Sequence, residues 1–326
     1  MKVFVLGGTG FLGYHAVLEL LRRGHEVTVL AFDMPEDDLL PPGVEYRLAD
    51  IDKCSDEEIK EILSGHDSMV FAIGADDRVV PKAPAYEFFY KANVLPAGRL
   101  FRLAAGAGLK SGVLCGSYFA YFDRIWPEMK LSEHHPYVRV RREQADAAVM
   151  AGEGMTVSVL ELPYIFGNMP GRVPLWAPLL KYILSPFPVF YTAGGTTMIT
   201  VEHVAEAIAG AVERHGESGS FPVGDLNIRW SEMVETFSRL GGRKQEVITM
   251  PARAAKLFMR FLQVYMSATG REHGLHPVKF VDVQVLETYI SAEDLEASRK
   301  VLGFGSGGLE KAFRDTVAAC GLLPED

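Results

Sequence analysis

A glycine-rich turn near the start of the chain constrains its fold more than any other feature. The segment VFVLGGTGFLGYHA places its glycines between a short apolar run and an amphipathic stretch. The apolar run predicts a buried strand and the stretch after it a helix. In such a unit the backbone can approach a pyrophosphate at the positive end of the helix. The GxxGxxG spacing differs from the common GxGxxG fingerprint, and glycines also serve ordinary tight turns. We expect a dinucleotide to contact Gly7, Gly10, Phe11, Leu12 and Gly13.

Two acidic residues follow the next strands and could bind the adenosine end of a dinucleotide. Asp33 lies about 20 residues after Gly13, the distance at which an acidic side chain binds the ribose hydroxyls of NAD. The strand is not followed by an arginine that could receive a 2′-phosphate, so the pattern favours NAD over NADP. Asp50, together with Ile51, could reach the adenine. Both acids could equally be polar loop residues, and the sequence leaves these alternatives open.

Strand and helix patterns alternate through the first half of the chain. Apolar runs predict strands at KVFVLG, EVTVLAF, VEYRLAD, SMVFAIG, SGVLCGS and TVSVLEL. The stretches GYHAVLELLRRG, FFYKANVLPAGRLFRLAAGAG and YVRVRREQADAAVMAG between them predict helices. This alternation is typical of a Rossmann-like α/β fold, a doubly wound parallel sheet with helices on both faces.

The character of the sequence changes after Pro163. Residues 163–200 are rich in proline, glycine and aromatic residues, which predicts loops and short helices over a cleft. Later segments predict a helix at VEHVAEAIAGAVERHG, a short strand at SFPVG, and helices at WSEMVETFSRLGG and PARAAKLFMRFLQVYM. We therefore expect residues 1–162 and 201–226 to form a dinucleotide-binding domain. Residues 163–200 and 227–326 are expected to form a smaller, mixed α/β substrate-binding cap.

The overall composition excludes several classes of protein. The net charge of −9 over 326 residues argues against nucleic acid as a partner, because phosphate binding needs a basic face. Three scattered cysteines, at positions 54, 115 and 320, indicate neither a disulfide framework nor a metal site. The apolar stretch LWAPLLKYILSPFPVFY is interrupted by Lys181 and prolines, so it is not expected to span a bilayer. These features favour a cytoplasmic protein without a membrane role.

Several segments together resemble the extended short-chain dehydrogenase/reductase family, especially its NAD-dependent epimerase/dehydratase branch, over nearly the whole chain. SMVFAIGA sits where the family has a strand ending in His-Leu-Ala-Ala, and KANVLPAGRLFRLAAGAG resembles its Asn-Val helix. VLCGSYFAYF falls where the family reads Ser-Ser-x-x-x-Tyr-Gly, and LELPYIFGN where it reads Leu-Arg-Pro-x-x-x-Tyr-Gly. The resemblance implies NAD, with NADP as an alternative, and adds Ala72, Ile73, Asn93 and Tyr164 to the expected cofactor contacts.

The family acts through a serine, a tyrosine and a lysine, and the first two have direct counterparts here. By position, Ser117 matches the serine, Tyr137 the tyrosine and Arg141 the lysine, and the last two are also expected to contact the cofactor. The tyrosine hydroxyl takes or gives a proton while the cofactor takes or gives a hydride. The i, i+4 spacing puts Tyr137 and Arg141 on one helix face.

Arginine keeps the positive charge of lysine but is bulkier and reaches differently. Two interpretations of Arg141 therefore stay open. In one, Tyr137 is a working acid–base group; in the other, the helix is a solvated surface element whose site is weakened or lost.

Further departures from the family put its ordinary nucleotide-sugar substrate in doubt. His203 stands where the family has an aspartate, and Glu161 where it has an arginine. The segment between Ser117 and Tyr137 is short, and we interpret DRIWPEMKLSEHH as an unusual loop on the substrate side. The absence of an acidic residue in GSYFAYFD before Asp123 favours an epimerase or a reductase over a dehydratase.

A few other residues have both a functional and a structural interpretation. His134 and His135 could lie near the substrate or be solvated loop residues, and Tyr121 could stack on a ligand or pack in the core. The stretch ARAAKLFMRFLQVYM combines an apolar face with basic residues at 253, 256 and 260. It could lie on a membrane surface, but we expect a cap helix packed on the body.

The resemblance implies an NAD(P)-dependent epimerase or oxidoreductase acting on a hydroxyl or carbonyl carbon of a nucleotide sugar. Two alternatives remain open. The aromatic segment WAPLLKYILSPFPVFY would suit a carbonyl reductase of a sterol-like or flavonoid-like substrate. Arg141 would suit a non-catalytic NAD(P)-binding sensor or scaffold. The family also implies a homodimer formed by the helices at about 86–105 and 137–151.

Overall fold

The computed structural model describes residues 1–31 and 39–324. Its strands, in chain order, are β1 (Lys2–Leu6), β2 (Glu26–Ala31), β3 (Glu45–Leu48), β4 (Ser68–Phe71), β5 (Ser111–Cys115), β6 (Thr156–Glu161), β7 (Tyr164–Phe166), β8 (Val189–Thr192), β9 (Gly195–Thr200), β10 (Gly219–Pro222), β11 (Leu226–Arg229), β12 (Val247–Met250) and β13 (Glu287–Thr288). Its α-helices are α1 (Phe11–Arg22), α2 (Asp56–Leu63), α3 (Ala85–Phe89), α4 (Leu95–Gly106), α5 (Tyr118–Ile125), α6 (Leu131–His134), α7 (Pro136–Ala151), α8 (Ala177–Ile183), α9 (Val201–Glu213), α10 (Trp230–Leu240), α11 (Ala252–Ala268), α12 (Pro277–Gln284), α13 (Ala292–Leu302) and α14 (Leu309–Ala319). A π-helical turn, Tyr90–Val94, joins α3 to α4, and a 3₁₀ turn, Pro127–Met129, joins α5 to α6.

The main sheet has seven parallel strands in the order β10-β6-β5-β4-β1-β2-β3. The chain runs outward from β1 to β3, returns to β4 on the other side of β1, and continues outward to β10. The strand order therefore reverses between β1 and β4, which opens a crevice at the carboxyl ends of these two strands. The predicted Rossmann-like α/β fold is confirmed.

Strand β1 shows why both faces of the sheet are covered by helices. Val3 and Val5 pack into a core formed with α1 and α9, while Phe4 and Leu6 point to the opposite core with α2, α4 and α7. All four side chains are buried. A strand buried on both faces reads as a continuous apolar run, which explains why the strands were visible in the sequence.

A second region is built around strand β9, which is buried along its whole length. It pairs with β7, β11 and β13, and a separate two-stranded sheet joins β8 to β12. Helices α8, α10 and α14 pack around an aromatic core that includes Phe166, Trp230, Phe237 and Phe313. Within the described residues, no helix is both long and apolar enough to cross a membrane.

Two local predictions are wrong. Residues 163–200 contain the strands β7, β8 and β9 in addition to loops and a short helix. The segment DRIWPEMKLSEHH is largely helical, because α5 runs to Ile125 and the 3₁₀ turn and α6 follow. Asp123 holds that segment together by accepting hydrogen bonds from the Ser132 backbone at 2.8 Å and from Arg142 at 2.8 Å.

Candidate functional site

A large cleft opens where the strand order reverses. It has a volume of about 1160 Å³, larger than the range of about 300–1,000 Å³ that is common for a site holding one drug-sized ligand. Its floor is made by the start of α1 and the carboxyl ends of β4 and β5, and its outer wall by residues near β7, β8, α11 and α12. The cleft therefore lies between the main sheet and the segments that were predicted to form a cap, with room for two ligands side by side.

The glycine turn lies at one end of this cleft and leaves no room for larger side chains. A Cβ atom on Gly13 would lie 2.1 Å from the carbonyl oxygen of Gly7, and one on Gly7 would lie 2.6 Å from that of Ala72. Gly7 also has a φ of +81°, which side-chain-bearing residues rarely adopt. The turn is closed by a 2.8 Å hydrogen bond from the Gly10 amide to the Gly7 carbonyl.

Helix α1 begins at this turn, and its first residues line the cleft. Its N-cap is Gly10, and within the described chain no side chain caps it. Phe11 and Leu12, which form the first turn, both line the cleft. Uncapped amides and the positive end of the helix dipole suit a pyrophosphate. The residues present therefore fit the phosphate groups of a dinucleotide.

The predicted contacts for the adenosine end have different outcomes. Asp33 lies outside the described residues. Asp50 and Ile51 do not line the cleft: the Asp50 carboxylate pairs with Lys53 at 2.9 Å, and the Ile51 carbonyl accepts a 2.7 Å hydrogen bond from Arg99. The polar atoms of both residues are thus engaged by their own loop and by α4. Their contact with a cofactor stays a prediction.

The end of β4 reaches the cleft as the sequence predicted. Ala72 and Ile73 line it directly, whereas Asn93 does not. Asn93 is buried in the π-helical turn, where its side-chain oxygen accepts a 3.0 Å hydrogen bond from the Ala75 amide and its side-chain nitrogen donates to the Ala75 carbonyl at 3.2 Å. Asn93 therefore holds the loop after β4 in place, and it affects the cleft through Ala75, which lines it.

Ser117 lies where β5 gives way to α5, and it lines the cleft. It is the N-cap of α5, and its hydroxyl accepts a 3.4 Å hydrogen bond from the Phe119 amide. That contact is long and leaves the hydroxyl proton free to be donated elsewhere. A buried serine at a strand end can therefore hold a substrate oxygen.

Tyr137 enters the cleft from the first turn of α7. Its ring packs edge-on against Phe89 and Phe119, with ring centres 5.3 and 6.4 Å apart. Its backbone amide is held by the Gly274 carbonyl at 2.9 Å. Burial raises the pKa of the Tyr137 hydroxyl to about 12, and the positive charge of Arg141 opposes that shift. The hydroxyl therefore keeps its proton at neutral pH in the structure as it stands.

Arg141 lies one helical turn after Tyr137, on the same side of α7. Its guanidinium carbon is 5.7 Å from the centre of the Tyr137 ring, and Nη2 donates a 2.6 Å hydrogen bond to the Cys115 carbonyl at the end of β5. Its Nε is buried and has no hydrogen-bond partner among the described residues. Arg141 is therefore a buried cation with an unsatisfied donor beside a tyrosine. This differs from the interpretation in which α7 is a surface helix with solvated charges.

The predicted cofactor contact Tyr164 belongs to a group of tyrosines around the cleft, of which Tyr118 is buried and Tyr164 and Tyr191 are half-buried. Tyr164 stacks on Trp176 with ring centres 5.4 Å apart, and burial raises its pKa. Tyr118 donates to or accepts from the Thr196 hydroxyl at 2.9 Å, and burial likewise raises its pKa. Tyr191 lies on the same wall. These hydroxyls stay protonated and present neutral hydrogen-bonding groups to a ligand.

Sequence reasoning missed three ionisable residues on the cleft wall. Asp77 and Arg78 follow β4 and line the cleft, together with His273 from the loop before α12. Burial raises the pKa of the Asp77 carboxyl and lowers that of the His273 imidazole. The position of Asp77 after a central parallel strand is a signal that the sequence did contain. His273 carries no such signal, because it comes from a distant segment.

Two departures from the family pattern are compensated by new partners. Glu161 is buried, and Arg124 binds it with two hydrogen bonds of 2.6 and 2.9 Å. His203 lies 2.6 Å from the Asp225 carboxylate through Nδ1, and this contact raises the pKa of the imidazole. In both cases the residue that departs from the family pattern has a charged partner within the protein.

The remaining candidates lie outside the cleft. His135 is buried rather than solvated, and its Nδ1 accepts a 3.0 Å hydrogen bond from the His276 amide. His134 sits beside it at the end of α6. Tyr121 is buried and donates a 2.7 Å hydrogen bond to Asp294, so the packing interpretation applies to it.

The outer wall of the cleft is lined mainly by apolar and aromatic side chains. They come from β8, β12, α11, α12 and neighbouring loops: Val173, Leu175, Trp176, Phe190, Met250, Phe258, Met259, Leu262, Leu275, Phe280 and Val281. The cations of the wall are few. Arg78 pairs with Asp76 at 3.2 Å and stacks on Trp176 at 5.0 Å, and Arg172 is exposed. This part of the cleft suits an apolar ligand better than a highly charged one.

Comparison with known proteins gives one family profile, two kinds of relative and a set of similar folds. A profile described as NAD(P)H-binding matches residues 7–168. The chain is 29% identical over 124 residues to the decarboxylating sterol-4α-carboxylate 3-dehydrogenase of Mus musculus. This match covers 38% of this chain and 32% of that enzyme. It is 30% identical over 131 residues to a UDP-glucose 4-epimerase of Klebsiella pneumoniae, covering 38% of this chain and 94% of that protein. The matched segment thus spans about a third of the length of the sterol enzyme.

Among solved structures, gox2253 has a TM-score of 0.78 at 18% identity, covering 98% of this chain and 97% of the other. MoeE5 in complex with UDP-glucose and NAD has a TM-score of 0.68 at 19% identity, covering 98% of both chains. At these identities the likeness extends to the fold over the whole chain.

Proposed function

The chain belongs to the extended short-chain dehydrogenase/reductase family, and from that premise we propose that it is an NAD(P)-dependent oxidoreductase. Its substrate is proposed to be a compound with a large apolar body and one carbonyl or hydroxyl carbon that reacts. The observation that carries this proposal is the group formed by Ser117, Tyr137 and Arg141 in one cleft with the glycine turn and the apolar outer wall.

The proposed roles of these residues follow from their contacts. Ser117 donates a hydrogen bond to the substrate oxygen, because its hydroxyl proton is not committed to the scaffold. Tyr137 gives or takes the proton at that oxygen. Arg141 stabilises negative charge on the Tyr137 oxygen and, through its free nitrogen atoms, binds polar groups of the cofactor. When bound, NAD(P) supplies or accepts the hydride.

The protonation state of Tyr137 is the one that a proton donor in carbonyl reduction needs. A hydroxyl with a pKa of about 12 gives a proton more readily than it takes one at neutral pH. Reduction of a carbonyl needs a proton donor at the developing alkoxide, whereas oxidation and epimerisation need a base. The carbonyl reductase is therefore the reaction that these residues suit best.

The apolar outer wall of the cleft supports the choice of substrate class. A nucleotide sugar carries two phosphates, which proteins usually bind through arginine or lysine side chains and backbone amides. Apart from Arg141, the cations of the described cleft wall are Arg78, which is already paired, and Arg172. Aromatic and aliphatic side chains instead offer dispersion contacts and an area free of water to a fused-ring substrate.

A nucleotide sugar remains the second candidate, and one observation favours it. Arg172 is exposed on the cleft wall and makes no ion pair within the described residues. It could meet a diphosphate at the cleft mouth. The similarity to a UDP-glucose 4-epimerase and to a protein solved with UDP-glucose and NAD is consistent with this alternative.

We propose the same two domains that the sequence predicts. Residues 1–162 and 201–226 would bind the cofactor, and residues 163–200 and 227–326 would select the substrate. NAD is the proposed cofactor on the basis of Asp33, with NADP as the alternative. A homodimer through α4 and α7 is proposed from the family.

Calorimetric titration of the purified protein with NAD, NADH, NADP and NADPH is the first test. Tight binding of one oxidised and reduced pair supports the glycine turn as the cofactor site, and no binding of any of them overturns the proposal. With the preferred reduced cofactor, reduction of a fused-ring ketone is then compared with displacement of that ketone by UDP. Turnover of the ketone without competition by UDP supports the apolar substrate. Tight UDP binding without ketone turnover supports the nucleotide sugar, and cofactor binding without any turnover supports a sensor or scaffold.

A further inference from the structure

Helix α11 exposes large apolar side chains to an unusual extent. The exposed fractions are 60% for Leu257, 64% for Phe258, 69% for Phe261, 63% for Val264 and 67% for Tyr265. The expected packing of this helix on the body is limited, because only two of its residues, at positions 255 and 266, are buried. A contiguous apolar surface of this kind on a water-facing helix indicates an interaction site.

The helix divides into three sectors when its residues are placed 100° apart. Ala255 and Met266 face the body of the protein. The exposed apolar side chains form the second sector, which contains Phe261 at its centre. Arg253 and Arg260, seven residues apart, lie in one row along the edge of that apolar sector. An apolar face edged by cations is the pattern of a helix that lies in the plane of a membrane interface.

The segment that contains this helix carries a charge opposite to that of the whole chain. Residues 247–271 contain no aspartate or glutamate, although the chain has a net charge of −9. Arg253 and Arg260 are exposed and form no ion pair with any described residue. Lys256, the third cation of the helix, pairs with Asp282 of α12. The free cations are therefore available to an anionic partner.

The apolar face of α11 is continuous with the mouth of the cleft. Phe258 and Leu262 line the cleft and are exposed at the same time. Val173, Leu175 and Phe190 on the opposite rim share both properties. A surface that covers α11 would therefore also cover the opening of the cleft.

We propose that α11 and this rim form a docking surface for an anionic lipid bilayer. The helix inserts its apolar face between the headgroups, and Arg253 and Arg260 bind the lipid phosphates. The cleft then opens towards the acyl chains, so an apolar substrate enters it without crossing water. A second copy of the chain on the same face would close both clefts and would leave the free cations without an anionic partner, which is why a bilayer fits better.

Flotation of the full chain with vesicles tests this proposal without cofactor or turnover, so its failure is separate from failure of the proposed reaction. One set of vesicles contains phosphatidylcholine alone, and the other contains equimolar phosphatidylcholine and phosphatidylglycerol. The protein is expected to float with the anionic vesicles, and added salt is expected to weaken the binding. Phe261→Ser/Tyr265→Ser and Arg253→Glu/Arg260→Glu, whose four positions do not line the cleft, are each expected to lower the bound fraction at least about tenfold.

Leu226→Ser/Val301→Ser is the matched control, because both residues are exposed apolar side chains outside this surface. It should float like the unmodified protein. No flotation of the unmodified protein, or equal flotation of all variants, overturns the proposal. The proposal is also overturned if the unmodified protein is a dimer that binds no vesicles and the α11 variants are monomers. A second copy of the chain would then cover this face. Unchanged thermal unfolding of each variant shows that any loss is not due to misfolding.

Discussion

The guanidinium carbon of Arg141 lies 5.7 Å from the centre of the Tyr137 ring. The arginine is anchored by its 2.6 Å hydrogen bond to the Cys115 carbonyl, which holds its charge near the ring, while its Nε has no hydrogen-bond partner among the described residues. A lysine at this position could bring a compact ammonium group to the tyrosine hydroxyl. The planar guanidinium group of Arg141 instead donates one of its hydrogen bonds to the carbonyl at the end of β5. This arrangement explains how burial can outweigh the cation in the pKa of Tyr137.

Replacing Arg141 with methionine should move the pH dependence of the reaction. The cation lowers the pKa of Tyr137, so its loss raises that pKa further and moves the rise of the oxidation rate with pH to higher pH. At neutral pH, oxidation should slow by up to about tenfold for each unit by which the pKa rises, because the phenolate fraction falls in that proportion. The pH–rate profile of kcat/KM measures it. Arg141→Lys keeps the charge and should retain or increase the rate, and an identical profile for the methionine variant would remove Arg141 from the mechanism.

Tyr137→Phe should abolish turnover while leaving cofactor binding intact. Loss of an acid–base group usually slows a reaction by about 100-fold to 10,000-fold, and the ring itself, packed on Phe89 and Phe119, is retained. Turnover and calorimetric cofactor affinity are the two measurements. Tyr121→Phe is the control, since that tyrosine is buried outside the cleft. A Tyr137→Phe variant with normal turnover would contradict the proposed role.

Gly13→Ala should disrupt the glycine turn. The new Cβ would lie 2.1 Å from the Gly7 carbonyl oxygen, a backbone atom that cannot move without opening the turn. Overpacking of this kind costs about 1–3 kcal/mol or more in stability, and the displaced α1 amides should weaken cofactor binding. Gly98→Ala is the matched control, because its Cβ meets only the Ala147 side chain at 3.7 Å. Denaturant unfolding and calorimetry should separate the two variants; equal behaviour would contradict the steric argument.

The sequence was most informative where local pattern and tertiary environment coincide. Strands buried on both faces, such as β1, are continuous apolar runs, and the glycines of the first turn are required by contacts within that turn. The β9 strand was missed although it is fully buried, because prolines and glycines around it favour loops in a single-sequence reading. Helix α2 was not predicted either, although Ser55 and Glu58 form a capping box that is legible in the sequence.

The site was predictable only for the residues that the main sheet positions. Ser117 follows the end of β5, and Tyr137 lies in the first turn of α7. The order of strands and helices along the chain determines both places. His273 and Phe280 reach the same cleft from the far end of the chain, and only tertiary packing brings them there. Residues 163–200 were expected over the cleft and several of them line it, whereas the contribution of His273 and Phe280 to this wall could not be predicted from the sequence.

The buried pair of Glu161 and Arg124 should respond unequally to removal of its two members. The Glu161 side chain is 1% exposed and that of Arg124 is 47% exposed. Arg124→Ala leaves a buried carboxylate unpaired, which should cost about 3–5 kcal/mol at pH 7, whereas the arginine left by Glu161→Ala can be solvated at a smaller cost. Burial already raises the pKa of Glu161, so the Arg124→Ala defect should shrink as the pH falls and the carboxyl takes up a proton. Denaturant unfolding at pH 7 and pH 5 measures both effects, and equal losses for the two variants would contradict them.

His135 should make the protein less stable in acid. Burial and the neighbouring His276 lower its pKa from 6.5 to about 3, with smaller contributions from His134 and Lys279 and an opposing one from Asp123. Below pH 6.5 the unfolded chain binds a proton that the native imidazole does not, so the free energy of unfolding falls as the pH falls towards 3. At pH 5 this single group should remove about 2 kcal/mol relative to pH 7.

The variant His135→Gln tests this assignment, because its amide oxygen can still accept the hydrogen bond from the His276 amide but does not titrate. Its stability at pH 7 should be at or slightly below that of the unmodified protein. Its fall between pH 7 and pH 5 should be smaller by about 2 kcal/mol, since one fewer proton is taken up on unfolding. Denaturant unfolding at a series of pH values gives the slope directly. The same fall in both proteins would mean that His135 is protonated in the native state, and that His276, Lys279 and Asp123 adjust around the charge.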